Sequence, residues 1–224
     1  MPKLLVFDSH PVQYRVPVWK EINKFEEGCL HVCYATDCSV KGHDDTGFGK
    51  KITWDEPLLS GYIYTVLNCV SGTPLSGWKS LTGKGVGELL EKVSPNVVLL
   101  TGFNYKYDLI AYLESKRKGV QVWLRCETQD QASNRSSFKK IIRFLMYRIL
   151  YLGIDKFFYI GELNKKHYLT HGVNLEKLFP ALYCTVDRIK NLTESEKNLL
   201  RLKARDHAGF NQNNLVIGFS GKFI

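Results

Sequence analysis

No stretch of the 224 residues stays apolar long enough to cross a bilayer. The first apolar run, residues 4–7, turns polar at Asp8 and is too short for a secretory leader. Near residues 149–152 the apolar pattern is broken by Arg143, Arg148 and Asp155. A cytoplasmic protein is expected, with peripheral contact at the inner face of a membrane left open. No block of five or more basic residues and no RNA- or DNA-binding motif occurs. The net charge of +9 therefore suits phosphorylated small molecules or an anionic surface before nucleic acid. No C-x-x-C pair is found among Cys29, Cys33, Cys38, Cys69, Cys126 and Cys184, and the first three match no common zinc spacing. Without an export signal they read as free, buried thiols rather than disulfides. Internal repeats and low-complexity segments are also lacking.

What is present is an ordinary globular composition, 44% hydrophobic and 24% charged, sufficient for one substantial core and a further fragment. Strand-like runs at residues 3–7, 30–36, 62–67, 96–101, 120–124 and 156–160 alternate with helical patterns at 16–25, 85–93, 106–118, 138–152 and 162–171. That alternation predicts an α/β fold, a Rossmann-like parallel sheet with helices on both faces. A long polar connection, residues 37–51, interrupts it. Thr193-Glu194-Ser195-Glu196 is a capping-box sequence opening a charged helix to about residue 208. A polar hinge, 209–214, precedes an apolar run, 215–219, which reads as a strand. The expected organisation is a domain over 1–190, a linker helix and hinge over 191–214, and the first strand of a second domain over 215–224.

Ligands of open parallel sheets bind beyond the carboxyl ends of the strands. Four strand exits carry polar groups there: Ser9 with His10, Asn104, Arg125 with Glu127, and Gly161 with Asn164. His10 precedes a helix whose free amides favour anions, so it can hold a phosphate or shuttle a proton, or merely cap the helix. Arg125 and Glu127 alternate about Cys126 and can point the same way, gripping hydroxyls or neutralising each other. His43 beside Asp44 and Asp45 lacks further metal ligands and reads as a solvated turn. His167 and His171 have a metal-compatible spacing, yet no Glu follows His167, and they read as a helix end. The run Gly83–Gly87 lacks the spacing of a phosphate loop and reads as a connector. In residues 138–152, Ile142, Leu145, Ile149 and Leu152 form a stripe, with Lys139, Lys140 and Arg143 near its start. The stripe suits a lipid surface or a core; its width favours the core.

Ser9-His10-Pro11-Val12-Gln13-Tyr14, Phe48-Gly49, Trp54 to Tyr62, Leu124 to Thr128, Ile160 to Tyr168 with Gly172-Val173, Asp187, and Ile217 to Lys222 occur in an order that resembles GT-B glycosyltransferases of family 4, the group 1 type. The resemblance covers nearly the whole chain and implies the amino-terminal, acceptor-side half of such an enzyme. Implied with it are hexosyl transfer from a nucleotide sugar to a glycan or lipid-linked acceptor, no obligatory metal, and little activity for this chain alone. His10 and Glu127 are then the catalytic candidates. Ser9, Gln13, Asn104, Arg125, Gly161 and Asn164 are the substrate-binding candidates, and Lys222 is the partner of the donor diphosphate. Many members have two glycines at the first-strand loop; this chain has Ser9 and His10. A self-contained, non-catalytic Rossmann-like binding domain is the alternative, and a sugar-nucleotide epimerase of the same architecture a third.

Overall fold

The computed structural model describes residues 3–45, 50–52, 56–131, 136–184, 186–187 and 189–218, with backbone alone for 43–45 and 50–52. The chain forms two compact units: residues 1–43 with 51–184, and residues 44–50 with 185–224.

The larger unit is built on a seven-stranded sheet of order β5-β2-β1-β6-β7-β8-β9. Its strands are β1 (Leu4–Asp8), β2 (Leu30–Tyr34), β5 (Ile63–Val66), β6 (Val97–Leu100), β7 (Gln121–Leu124), β8 (Lys156–Tyr159) and β9 (Leu178–Pro180). Every pairing between them is parallel, with Leu4 opposite Leu30 on one side of β1 and Val97 on the other. The helices are α1 (Val16–Phe25), a short α2 (Cys38–Lys41), α3 (Val86–Val93), α4 (Lys106–Arg117), α5 (Ser137–Leu152) and α6 (Glu162–Thr170). A separate ribbon pairs β3 (His43–Asp45) with β4 (Lys50–Ile52).

The alternation of strand side chains explains the layers. Leu5, Phe7, Val98, Leu100, Val122, Leu124 and Phe157 face one core, filled from above by α3, α4, α5 and α6 through residues such as Leu90, Tyr107, Tyr151 and Tyr168. Val6, Val32 and Leu99 face the other, where α1 supplies Val16 and Trp19. Such continuous apolar strands are the mark of a sheet covered on both sides. Toward β7 and β8 that second face carries Trp123 and Phe158, only partly buried. The Gly83 to Gly87 run is the connector expected. Gly83 has a φ of +79°, and a Cβ there would sit 2.9 Å from Cβ of Ile110.

Two expectations change. The stripe of α5 does not enter the core. Ile142, Leu145, Ile149 and Leu152 are exposed, while Tyr147 and Tyr151 on the opposite side are buried. Of the thiols, Cys33, Cys69 and Cys126 are buried, Cys29 and Cys38 half-buried, and Cys184 exposed, all six being free.

In the smaller unit, α7 (Glu194–His207) starts with the expected capping box. The Thr193 amide donates to Glu196 at 2.8 Å, and the Glu196 amide donates to the Thr193 hydroxyl at 3.3 Å. Residues 215–218 form no strand, and Leu215 and Ile217 are exposed. Residue 219, Lys222, Phe48, Gly49 and Trp54 lie outside the described residues, as do the side chains of His43, Asp44 and Asp45.

Candidate functional site

In the sheet order, the chain runs from β1 outward to β2 and β5 on one side and to β6, β7, β8 and β9 on the other. The switch point therefore lies between β1 and β6, and a crevice must open where their exit loops part. Asp8 ends β1 there and is wholly buried. A buried carboxylate needs partners. Arg15, at the start of α1, donates Nη1 to Asp8 Oδ1 at 2.5 Å, and the Thr101 hydroxyl at the end of β6 donates to the same oxygen at 3.2 Å. Burial works against the Arg15 charge, but Asp8, Tyr14 and Glu127 outweigh it and hold the guanidinium protonated more firmly than a free arginine. Its Nη2 reaches Oε1 of Glu127 at 3.5 Å.

Glu127 leaves β7 on the rim of the same crevice. Tyr183, carried on the segment after β9, donates its hydroxyl to Glu127 Oε1. The Tyr183 ring stands edge-on to Tyr14, with centroids 5.3 Å apart, and lies 4.7 Å beneath the Arg125 guanidinium. Burial, then the bond to Glu127, pushes the Tyr183 phenol upward, so it remains a donor. The result is a polar cavity of about 330 Å³ bounded by Tyr14, Arg15, Thr101, Asn104, Glu127 and Thr128. A fixed cation, a carboxylate and an amide sit within it. The set can bind hydroxyls bidentately or hold a small anion.

Next to it, sharing Tyr14 and Arg15, is an apolar cavity of about 370 Å³ walled by Trp19, Trp123, Phe158 and Leu182. It lies under the sparsely covered part of the α1 face.

The sequence-predicted residues divide. Asn104 and Glu127 line the polar cavity. Ser9 and His10 stand at the β1 exit, half-buried, with Ser9 Oγ 2.9 Å from His10 Nδ1. Arg125 turns away from Glu127: it donates Nε and Nη2 to the Ala181 carbonyl at 3.3 and 3.2 Å and lines the apolar cavity. The expected side-by-side grip is replaced by Tyr183 standing between them. Asn164, expected to bind substrate, is buried and engaged at both ends. Its Oδ1 accepts from the Ile160 amide at 3.1 Å, and its Nδ2 donates to the Thr128 carbonyl at 2.7 Å. It ties the β7 exit to the start of α6 instead. Gly161 is the N-cap residue of α6, and Gln13 is exposed. Sequence reasoning missed Arg15 and Tyr183. For Arg15 a signal existed: an aspartate ending an apolar strand demands a nearby cation.

A second cluster lies between α5 and α6. Asp130, His167 and His171 bring ligand atoms within 4.8 Å of one another, so the histidines read as a helix end also meet a carboxylate. His167 Nδ1 is 2.9 Å from Asp130, and its Nε2 is 2.9 Å from the Tyr151 hydroxyl; His171 Nδ1 is 2.8 Å from the His167 carbonyl. By distance they could take a divalent ion. Arg143, its Nε 4.0 Å from Asp130, places a competing cation beside the carboxylate. Burial lowers His167 to about 4, against the bond to Asp130.

No known protein-family model matches the chain, and no curated protein does. Solved structures do. Anabaena Alr3699/HepE in complex with UDP and glucose is similar at 12% identity and a TM-score of 0.55, over 91% of this chain and 50% of that one. Its complex with UDP-glucose aligns equally. A UDP-N-acetylglucosamine 2-epimerase is similar at 13% identity and a TM-score of 0.52, over 80% of this chain and 48% of that one. This chain has a Rossmann-like α/β fold, half of a GT-B-like architecture. It spans about half the length of the structures it matches.

Proposed function

We propose that this chain is the acceptor-side half of a glycosyltransferase that moves a hexosyl group from a nucleotide sugar to a glycan or lipid-linked acceptor. The observation that carries the reading is the polar cavity at the β1/β6 switch point, held open by the Asp8–Arg15–Glu127 chain. The shared fold supports it, since one similar structure holds UDP and glucose. In this reading Glu127 accepts a hydrogen bond from the acceptor hydroxyl, orienting its oxygen. Arg15 holds that carboxylate through its Nη2 and steadies negative charge on the donor side. His10, at the β1 exit, moves a proton, with Ser9 setting its ring. Asn104 binds a sugar hydroxyl, while Arg125 and Asn164 position the loops that carry Tyr183 and Thr128. Lys222 serves the donor diphosphate. The apolar cavity sharing Tyr14 and Arg15 supports an amphiphilic acceptor, sugar in one chamber and hydrocarbon in the other.

Titrating the chain with an alkyl glucoside, free glucose and UDP-glucose tests this, read by tryptophan fluorescence and saturation-transfer NMR. The alkyl glucoside should bind at least about tenfold more tightly than glucose, because the chain's apolar cavity buries several methylenes. Glu127→Gln should weaken the sugar contact, and UDP-glucose should not bind at micromolar concentration. Tight UDP-glucose binding without alkyl glucoside binding overturns the assignment. Conversion of UDP-N-acetylglucosamine to its 2-epimer favours the second reading, which the shared fold of the epimerase supports.

A further inference from the structure

On α5 the residues that a core helix would bury are outside. Ile141, Ile142, Leu145, Met146, Ile149 and Leu152 are all exposed, Ile149 at 69% and Leu152 at 79%. At about 100° per residue they occupy one continuous arc of roughly 140°. Phe138, also exposed, falls inside the same arc. The face that packs on the domain is instead aromatic and polar: Tyr147 and Tyr151 are buried, and Arg143 lies over the Tyr147 ring.

The charges are arranged around this arc. The helix contains Lys139, Lys140, Arg143 and Arg148 and no aspartate or glutamate. By the same rotation Lys139 borders the apolar arc on one side and Arg148 on the other, both exposed. Among the described residues no carboxylate pairs with Lys139, Lys140 or Arg148, whereas Arg143 approaches Asp130. The chain as a whole carries +9. No helix among the described residues is long and apolar enough to cross a membrane.

We infer that α5 is a docking surface for an anionic lipid bilayer, lying in the plane of the interface with its apolar arc among the acyl chains and its flanking cations at the headgroups. An exposed apolar arc alone would suit a second copy or another protein. Cations bordering it on both sides, with no acid in the helix, match a surface that is apolar within and negative at its margin. This inference stands on α5 alone and does not depend on the sugar reading.

The test is co-sedimentation of the 224-residue chain with vesicles of phosphatidylcholine alone or with roughly one third phosphatidylglycerol. The chain should partition onto the anionic vesicles at least about tenfold more strongly and be released at about 0.5 M salt. Leu145→Gln with Ile149→Gln should reduce that partition on the order of tenfold. Lys139→Gln with Arg148→Gln should reduce it and flatten the salt dependence. All four positions are exposed, so circular dichroism and Tm should match the parent. Equal partition onto both vesicles, no partition, or variants that bind like the parent overturns the inference. So does a dimer that the Leu145→Gln, Ile149→Gln variant renders monomeric while vesicles capture neither.

Discussion

Arg15 meets the buried carboxylate of Asp8 at 2.5 Å and reaches Glu127 at 3.5 Å, so one guanidinium joins the ends of β1 and β7 across β6. Removing one member leaves an uncompensated charge inside the domain. Arg15→Met should cost about 3–5 kcal/mol in urea unfolding, and adding Asp8→Asn should recover much of it. Strictly additive losses in that double-mutant cycle would show that the pair is not coupled.

Tyr183→Phe keeps the ring beneath Arg125 and removes the hydroxyl on Glu127. Stability should change by less than about 1 kcal/mol, since the residue is partly exposed. Alkyl glucoside affinity should fall several-fold as Glu127 loses its fixed orientation. Unchanged affinity would mean that the phenol does not position the carboxylate.

Two buried groups should give opposite pH slopes. Burial first, then His171 and Arg143, lowers His167 from 6.5 to about 4 against the bond to Asp130. Its proton binds less readily in the folded chain, so acidification through that interval favours unfolding. Burial raises the Asp108 carboxyl from 3.8 to about 7, against hydrogen bonds from the Asn104 and Tyr105 amides. It holds a proton more firmly when folded, so raising the pH through that interval costs stability. In the native sequence the two opposite slopes should largely offset each other. Asp108→Asn, which can still accept both amides, should unmask a rise of roughly 2 kcal/mol as pH increases from 4 to 6.5. Denaturant midpoints across that range report it; a flat profile in the variant contradicts the His167 assignment.

Gly83→Ala should destabilise by about 1–3 kcal/mol. The φ of +79° disfavours an L side chain, and the new methyl would press on a branched carbon of Ile110 that cannot swing aside. Thermal unfolding measures it, with Gly28→Ala, whose Cβ meets nothing within 4 Å at a similar φ, separating the backbone part from the packing part.

Thiol reactivity should follow exposure. Cys184 should label first with an aromatic disulfide at about pH 8, while Cys33, buried and pushed up to about 12, should wait for unfolding. Cys33 labelling as fast as Cys184 would contradict the packing of β2.

Six of the seven strands in the main sheet were legible in the sequence because each is a continuous apolar run between turn signals. β9 was not. Three residues ending in Pro180 carry no periodicity, and only pairing with β8 makes them a strand. α5 was legible as a helix but not in its orientation. Its strongest apolar direction is the outward one, and the inward face buries phenols whose polarity hides them from a hydrophobic pattern, as where Tyr151 meets His167. Residues 215–218 carry the β-branched Val216 and Ile217 that signal a strand, and among the described residues they have no ladder neighbour. In the site, the four strand exits were legible from topology. Which side chains meet was not, because Tyr183 reaches Glu127 across 56 positions and only the completed sheet brings them together.

That long reach ties the clamp to the edge of the sheet. β6, β7, β8 and β9 lie side by side in chain order, so the clamp on Glu127 hangs from the last and shortest of them. β9 is also an outermost strand, paired on one side only, and the Ala181 amide bonded to the Tyr159 carbonyl at 2.8 Å is among its last tethers before Tyr183. Loosening that margin would free the carboxylate without disturbing the centre of the sheet, which couples the far border of the domain to the polar cavity at its middle.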